Sequence, residues 1–493
     1  MSIIKKLASD TAIYGIPSIV GRLLNFLLIF LYTKFNASVF AAHTEFYAYA
    51  SFFLVILPLG METSFFNFLR KGNDIKTTFS TAFATLLGSA IVFAFIGVLF
   101  RQNVADFMNY PTHADYVVWF IFIIFCDVLT MIPFALLRHQ KKAKKFALIR
   151  SIGIFINIVL NVIYFLIIPK MGVEHIPYLY NVEMGIGYAF IINLISSAAM
   201  VLMLIPDILS HWKTVDKQLW KDMVRYGMPL VLVGLAGIVN ETFDRVVLDK
   251  LLVSDNPKFE IGVYGAFYKL SIIITIFIQA FRYAAEPFFF ERAKEKDAPE
   301  VYALVMKYFI WVCLSAGLFT LFYIDEIAAF AVKDESYYTH PDGIKIVAPL
   351  ILANIFLGII YNLSIWYKVK EKNNLGAIIS VIGAAITIVG LIVFVPKFGF
   401  LAAAYVTLIT YFIMMLLSYF VGQRHFPIPY EVGKVFLLFF VAFLCYWINN
   451  KLLSDASILT YILKGLLFVV FTVLGFFVIK QGKNLNLPSI TRK

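Results

Sequence analysis

Charge is scarce in this chain. Asp, Glu, Lys and Arg make up 15% of its 493 residues against 61% hydrophobic, and the mean hydropathy is +0.84. So few charges cannot cover a water-soluble surface, and the composition is that of a polytopic membrane protein. Cysteine is scarcer still. Cys126, Cys313 and Cys445 each sit in an apolar stretch, with neither a metal-ligand spacing nor a disulfide framework, and packing is the only role expected of them. There is no Gly-x4-Gly-Lys-Ser/Thr, which excludes a pump driven by a P-loop ATPase. Asp-x-Asp, His-Glu-x-x-His and a nucleophile elbow are missing too, so no metal, cofactor or catalytic residue is expected. The longest connections, 169–185 and 325–345, are too short to hold an extramembrane catalytic domain.

What the chain does have is a succession of apolar stretches, each long enough to cross a hydrocarbon layer of ~30 Å at ~1.5 Å per residue. Fourteen spans are predicted, centred near residues 22, 56, 89, 126, 157, 196, 235, 272, 312, 357, 385, 410, 441 and 468. Lys5 and Lys6 before the first apolar run imitate a signal peptide. No small-residue cleavage site follows, so the run is read as the first span. The net charge of +12 does not indicate nucleic acid, because the basic residues sit in short loops on alternate sides of the spans. With the amino terminus cytoplasmic, roughly two-thirds of the 42 Lys and Arg fall on that side, most densely at Arg138, Lys141, Lys142, Lys144, Lys145 and Arg150. Both termini are therefore expected in the cytoplasm.

The chain also repeats itself. Lys5, Leu7, Asp10, Tyr14, Gly15 and Pro17 recur in one register as Lys217, Leu219, Asp222, Tyr226, Gly227 and Pro229, and Lys141, Pro169, Lys170 and Gly172 recur as Lys368, Pro396, Lys397 and Gly399. Two homologous six-span halves follow, residues 1–212 and 213–424, with two additional spans in 425–493. Six is even, so the halves enter the membrane in the same orientation. The expected fold is all-α, with two parallel six-helix repeats forming a two-lobe transporter whose path runs between the lobes.

Polar residues inside spans carry the chemical information, since each must be paired, hydrated or functional. Arg22 and Asn25 share a face of the first span. Two roles are open to Arg22: pairing with Asp127 at the middle of the fourth span, or facing a wet central cavity and binding an anion. Glu62 and Glu286 each precede a pair of phenylalanines near the cytoplasmic side, within reach of basic loop residues such as Arg70 and Arg292. The deeper Glu62 is a candidate proton or cation ligand. The seventh span is expected to close with Asn240-Glu241-Thr242-Phe243-Asp244-Arg245, Arg245 snorkelling to the outer interface and the segment serving as a gate or a solvated helix end. Lys269 and Arg282 of the eighth span are further cations for a central path. Asn157, Asn161, Asn193, Asn354 and Asn362 are expected to tie helices together at ~0.6–2 kcal/mol each.

Gly21-Arg22-x-x-Asn25-Phe26, Gly60-Met61-Glu62-Thr63, Asp244-Arg245-x-x-Leu248, Val263-Tyr264-Gly265-Ala266, Gln279-Ala280-Phe281-Arg282, Glu286-Pro287-Phe288 and Pro396-Lys397-Phe398-Gly399 stand in an order and spacing that resembles the bacterial polysaccharide and O-antigen flippases. These belong to the multidrug/oligosaccharidyl-lipid/polysaccharide exporter superfamily, with the lipid II flippases and the multidrug and toxic compound extrusion antiporters. The resemblance covers about residues 5–425. It implies an inner-membrane carrier of a polyprenyl-pyrophosphate oligosaccharide, working among membrane lipids beside other polysaccharide-assembly proteins. Arg22, Asn25, Lys269, Arg282 and Asn240 would then contact substrate, and Glu62, Asp127, Asp244 and Arg245 would couple or gate. The two extra spans match the groove-forming helices of lipid II flippases and keep that substrate open. Drug antiporters of the superfamily carry an acidic residue where this chain has Arg22. Sodium-binding members use side chains of spans seven, eleven and twelve, and span eleven, Gly376–Val395, has no carboxylate. An integral-membrane enzyme of glycan polymerisation or ligation is the alternative of another class.

Overall fold

The protein is described from a computed structural model, over residues 21, 23–24, 26–171, 180–181, 184–293, 295–453, 455 and 457–480, side chains 284 and 287 excepted. Arg22 and Asn25 lie outside the described residues. Only the end of the predicted first span is described, as a helix at Ile29–Tyr32.

Twelve described helices are long and apolar enough to span: Ala37–Arg70, Ile75–Leu99, Ala114–His139, Ala143–Met171, Gly187–His211, Lys217–Leu251, Pro257–Arg292, Ala298–Phe322, Ile344–Val369, Asn373–His425, Val432–Leu452 and Ile458–Lys480. These are spans two to fourteen, because Asn373–His425 is two helices joined where Gly399 leaves helical geometry at φ 64°. Each lies where hydropathy predicts it.

The starts of the helices are set by side-chain caps. Asn36 accepts from the Ser38 amide, Asp74 from Thr77, Asp216 from Gln218 and Leu219, and Asn256 from Phe259 with Pro257 at the first turn. Such caps satisfy amides the helix itself leaves unpaired. The Thr77 amide and hydroxyl hold the Asp74 carboxyl down at about 2, assisted by Lys213.

The fourth span packs on the third and sixth, and the fifth on the sixth. In the second lobe the seventh and tenth pack on the eleventh–twelfth unit and the eighth on the tenth, while the thirteenth and fourteenth attach to the ninth. The two lobes form a V that meets along spans two, seven and eight. Apolar surface drives no association in lipid, so helices hold together by close packing and polar ties. Gly60 and Gly227 show this: a Cβ on Gly60 would come within 2.5 Å of the Gly227 carbonyl oxygen. Asn161 accepts from the Tyr32 hydroxyl at 2.7 Å, and Asn193 and Asn354 donate to Tyr47 and to the Ser271 carbonyl, at 2.8 and 3.3 Å. Asn362 departs from this pattern, donating to Gly358 of its own helix.

Candidate functional site

One face of the bundle carries the turns at 71–74, 140–142, 212–216 and 370–372 and is termed the basic face. The far face carries the turns at 33–36, 252–256 and 323–346. At the far face the lobes are shut. A Cβ on Gly262 of span eight would lie 1.8 Å from the Ala37 carbonyl oxygen of span two, which only glycine permits. Thr33 donates to the Ala331 carbonyl at 2.9 Å, the Asp334 amide returns a bond to Thr33 at 2.9 Å, and Tyr337 donates to the Phe35 carbonyl at 3.1 Å.

On the basic side Lys213, at the start of the second lobe, reaches Asp74 of the first at 3.3 Å, and the ion pairs at the span ends stay within a lobe. Arg138 donates to Glu62 at 2.6 Å, Lys145 pairs with Asp207 at 2.6 Å, and Lys368 donates to Glu286 at 2.6 Å, with Arg282 3.8 Å from the same carboxylate. Glu62 therefore meets Arg138, while Arg70, the neighbour expected for it, donates to Asn67. Glu286 likewise meets Lys368 in place of Arg292, whose partners are Glu295 and Asp297. Spans eight and ten flank a shallow, open cleft lined by Arg282, Glu286, Tyr361, Asn362 and Lys368. The Arg282 guanidinium lies 4.6 Å from the Tyr361 ring, and the buried Asn362 side-chain oxygen has no hydrogen-bond partner among the described residues. Across the gap Arg150, exposed and stacked on Phe134 at 4.4 Å, lies within electrostatic reach of Asp127, Arg138, Glu62 and Tyr283.

Lys269 is twelve residues along the eighth helix from Pro257, about 18 Å in. Its ammonium lies 5.0 Å from the Phe40 ring and 5.7 Å from Tyr32, the range of cation–π contacts, and no described carboxylate pairs with it. Aromatic faces attract the cation without neutralising it.

Arg245 is differently placed. The seventh helix continues to Leu251 instead of closing at Arg245, which sets Arg245 about 9 Å deeper than an interfacial residue. It does not snorkel: its guanidinium stacks 4.1 Å from Tyr268, bonds Asp244 at 3.2 Å and donates to the Glu241 carbonyl. Asp244 also accepts from the Tyr264 hydroxyl. Asn240 is buried and committed to its own lobe, donating to the Ser380 carbonyl at 3.0 Å and accepting from Thr387 at 3.2 Å. Asp127 accepts from Ser197 at 2.7 Å. The proposed Arg22–Asp127 pair lies outside the described residues.

The structure thus places Arg282 with Glu286 and Lys368 at the basic mouth and Lys269 deeper. Arg138, Arg150 and Lys368 were not singled out as site residues by sequence reasoning. Arg150 lies within the helix Ala143–Val162, four residues past Phe146, and so belongs to the fifth span and not to the basic loop before it.

No protein-family model matches the sequence, and no curated protein does. Solved structures do match. The lipid II flippase MurJ in an inward closed conformation superposes with a TM-score of 0.73 at 15% identity, over 94% of this chain and 98% of its own. An inward-facing multidrug-resistance MATE-family transporter of the MOP superfamily gives 0.67 at 13%, over 84% and 97%. A MOP-superfamily transporter from Pyrococcus furiosus described as having a binding pocket of reversed polarity gives 0.59 at 16%, over 84% and 95%. The chain has the fold of these transporters. The match to MurJ is longer than those to the other two by about the length of Val432–Lys480, the two spans appended to the two-lobe fold.

Proposed function

We propose that the chain is a flippase that moves a polyprenyl-pyrophosphate-linked oligosaccharide across the bacterial cytoplasmic membrane by alternating access, without ATP. The observation that carries this reading is Lys269, which pairs with no carboxylate among the described residues and is set between the lobes beyond a basic-side mouth that holds Arg282, Lys368 and Arg150. A pyrophosphate needs cations in a hydrated cavity, and charge-assisted bonds to it are the strong ones. The lobes are taken as 1–212 and 213–424, with 425–493 beside the ninth span, and both termini as cytoplasmic. The basic face then opens to the side where the lipid-linked sugar is made. Arg22 and Asn25 are taken as further substrate contacts in this reading, and Asn240 packs the second lobe. Glu62, Asp127 and Asp244 already have partners whose exchange could accompany coupling. The chain makes and breaks no covalent bond in this scheme, and its partners are the lipid-linked glycan, membrane lipids and other polysaccharide-assembly proteins.

The longer match to MurJ favours lipid II as a second candidate cargo, since it presents the same pyrophosphate. Proteoliposomes loaded with a fluorescent polyprenyl-pyrophosphate oligosaccharide, and separately with lipid II, test both. Movement of the first, lost in Arg22→Ala and Lys269→Ala proteins that remain folded, supports the proposal. Movement of an organic cation alone, against a pH or sodium gradient, replaces it with a drug antiporter.

A further inference from the structure

The far-face seam holds a charge cluster that no step of the proposed substrate path uses. Glu45 of span two is 1% exposed. It receives Lys258 of span eight on both carboxylate oxygens at 2.8 Å, and the Tyr110 hydroxyl. Lys258 also pairs with Asp249 of span seven at 2.8 Å and donates to the Met108 carbonyl at 2.8 Å. Asp249 is paired with Lys250 at 2.9 Å and accepts from Asn109 at 2.8 Å. Tyr49 on Glu45's own helix, and Tyr116 beside Tyr110, complete the titratable groups facing it. Glu45 and residues 107–110 belong to the first lobe; Asp249, Lys250 and Lys258 belong to the second.

Closed, the cluster is neutral, with two carboxylates against two ammonium groups. Parting the lobes divides it unevenly: Glu45 leaves with one negative charge and only Tyr110 as donor, and the other half keeps one net positive charge. That attraction, acting on a Glu45 carboxylate almost wholly buried at the seam, holds the far face shut. A proton on Glu45 cancels it.

We propose that Glu45, Lys258 and Asp249 form the far-face latch and that Glu45 is its proton-binding group, so that acid on the far side releases the latch and alternation is coupled to protons there. This rests on the two-lobe alternating reading and not on the identity of the cargo. Its test therefore needs no substrate.

Spin labels on Asn103→Cys and Val253→Cys, in full-length protein with the native cysteines replaced by alanine and reconstituted in nanodiscs, report the distance across the seam. Electron–electron resonance should show a short distance near pH ~7.5 and a several-fold rise in the long-distance fraction near pH ~5. Glu45→Gln should hold the long distance at both pH values. Asp249→Asn, which keeps Glu45, should still respond to acid. The exchanged pair Glu45→Lys with Lys258→Glu should close again, which separates loss of the latch from misfolding. A closed Glu45→Gln protein overturns the proposal, as does a wild-type distance indifferent to pH. So does an acid response that survives in Glu45→Gln and vanishes in Asp249→Asn. Failure of the flipping assay with this pH response intact would remove the cargo and leave the latch.

Discussion

Lys307, buried in the ninth span, places its ammonium 2.7 Å from Glu431 in the turn before the thirteenth, and so ties an appended helix to the second lobe. Burial alone would push the Glu431 carboxyl up, but hydrogen bonds from Lys307 and Lys434 outweigh it and hold the group below the ordinary carboxylate range. A carboxyl depressed in the folded state stabilises it above the unfolded value of about 4.3, and that contribution is lost as pH falls through the folded value. Thermal unfolding in detergent should accordingly show a stability loss below about pH 4 that is missing in Glu431→Gln. At neutral pH the same variant leaves the buried Lys307 ammonium without an opposite charge and should be less stable by about 1–3 kcal/mol.

Gly262→Ala should force the far face apart. The added Cβ would meet backbone, the Ala37 carbonyl oxygen at 1.8 Å, and no rotamer change relieves that. Gly237, with no atom within 4 Å of its added Cβ, is the control. Modification by a membrane-impermeant thiol reagent of a cysteine placed at Ala37 should accelerate in Gly262→Ala and stay at the parental rate in Gly237→Ala.

Lys269→Ala should lower the initial rate of flipping by about 10–150-fold, the value of one charge-assisted contact of ~1.5–3 kcal/mol. Lys269→Arg should recover much of it. Melting temperatures should move little, because the ammonium has aromatic neighbours and no described anion to strand. A large melting shift with unchanged flipping would make Lys269 a packing residue.

Asn240→Ala should behave in the opposite way. It removes the bond to the Ser380 carbonyl and the one from the Thr387 hydroxyl, which keeps Thr410 at 3.2 Å, and so cuts the polar tie between the seventh and eleventh spans. Stability should fall by about 1–3 kcal/mol while the rate per folded molecule is kept. A flipping defect at full stability would return Asn240 to the substrate path.

The amino-acid order alone determined the position of the described spans and the two-lobe fold with its two added helices. Each of these rests on local signals: runs of apolar residues long enough to cross lipid, and caps and breakers between them. The apolar runs at 217–251 and 257–292 located the helices but not their ends, because charged residues such as Asp249 and Lys258 near an end read as a boundary when their partners are not known. Tertiary structure decided which charges are satisfied. Glu62 meets Arg138 of the fourth span, Glu286 meets Lys368 of the tenth, Glu45 meets Lys258 of the other lobe, and Lys269 finds aromatic rings and no carboxylate. In a low-dielectric interior a charge's role depends on the few ångströms around it. Those neighbours come from helices tens to hundreds of residues away, where no periodicity within a single span can reveal them.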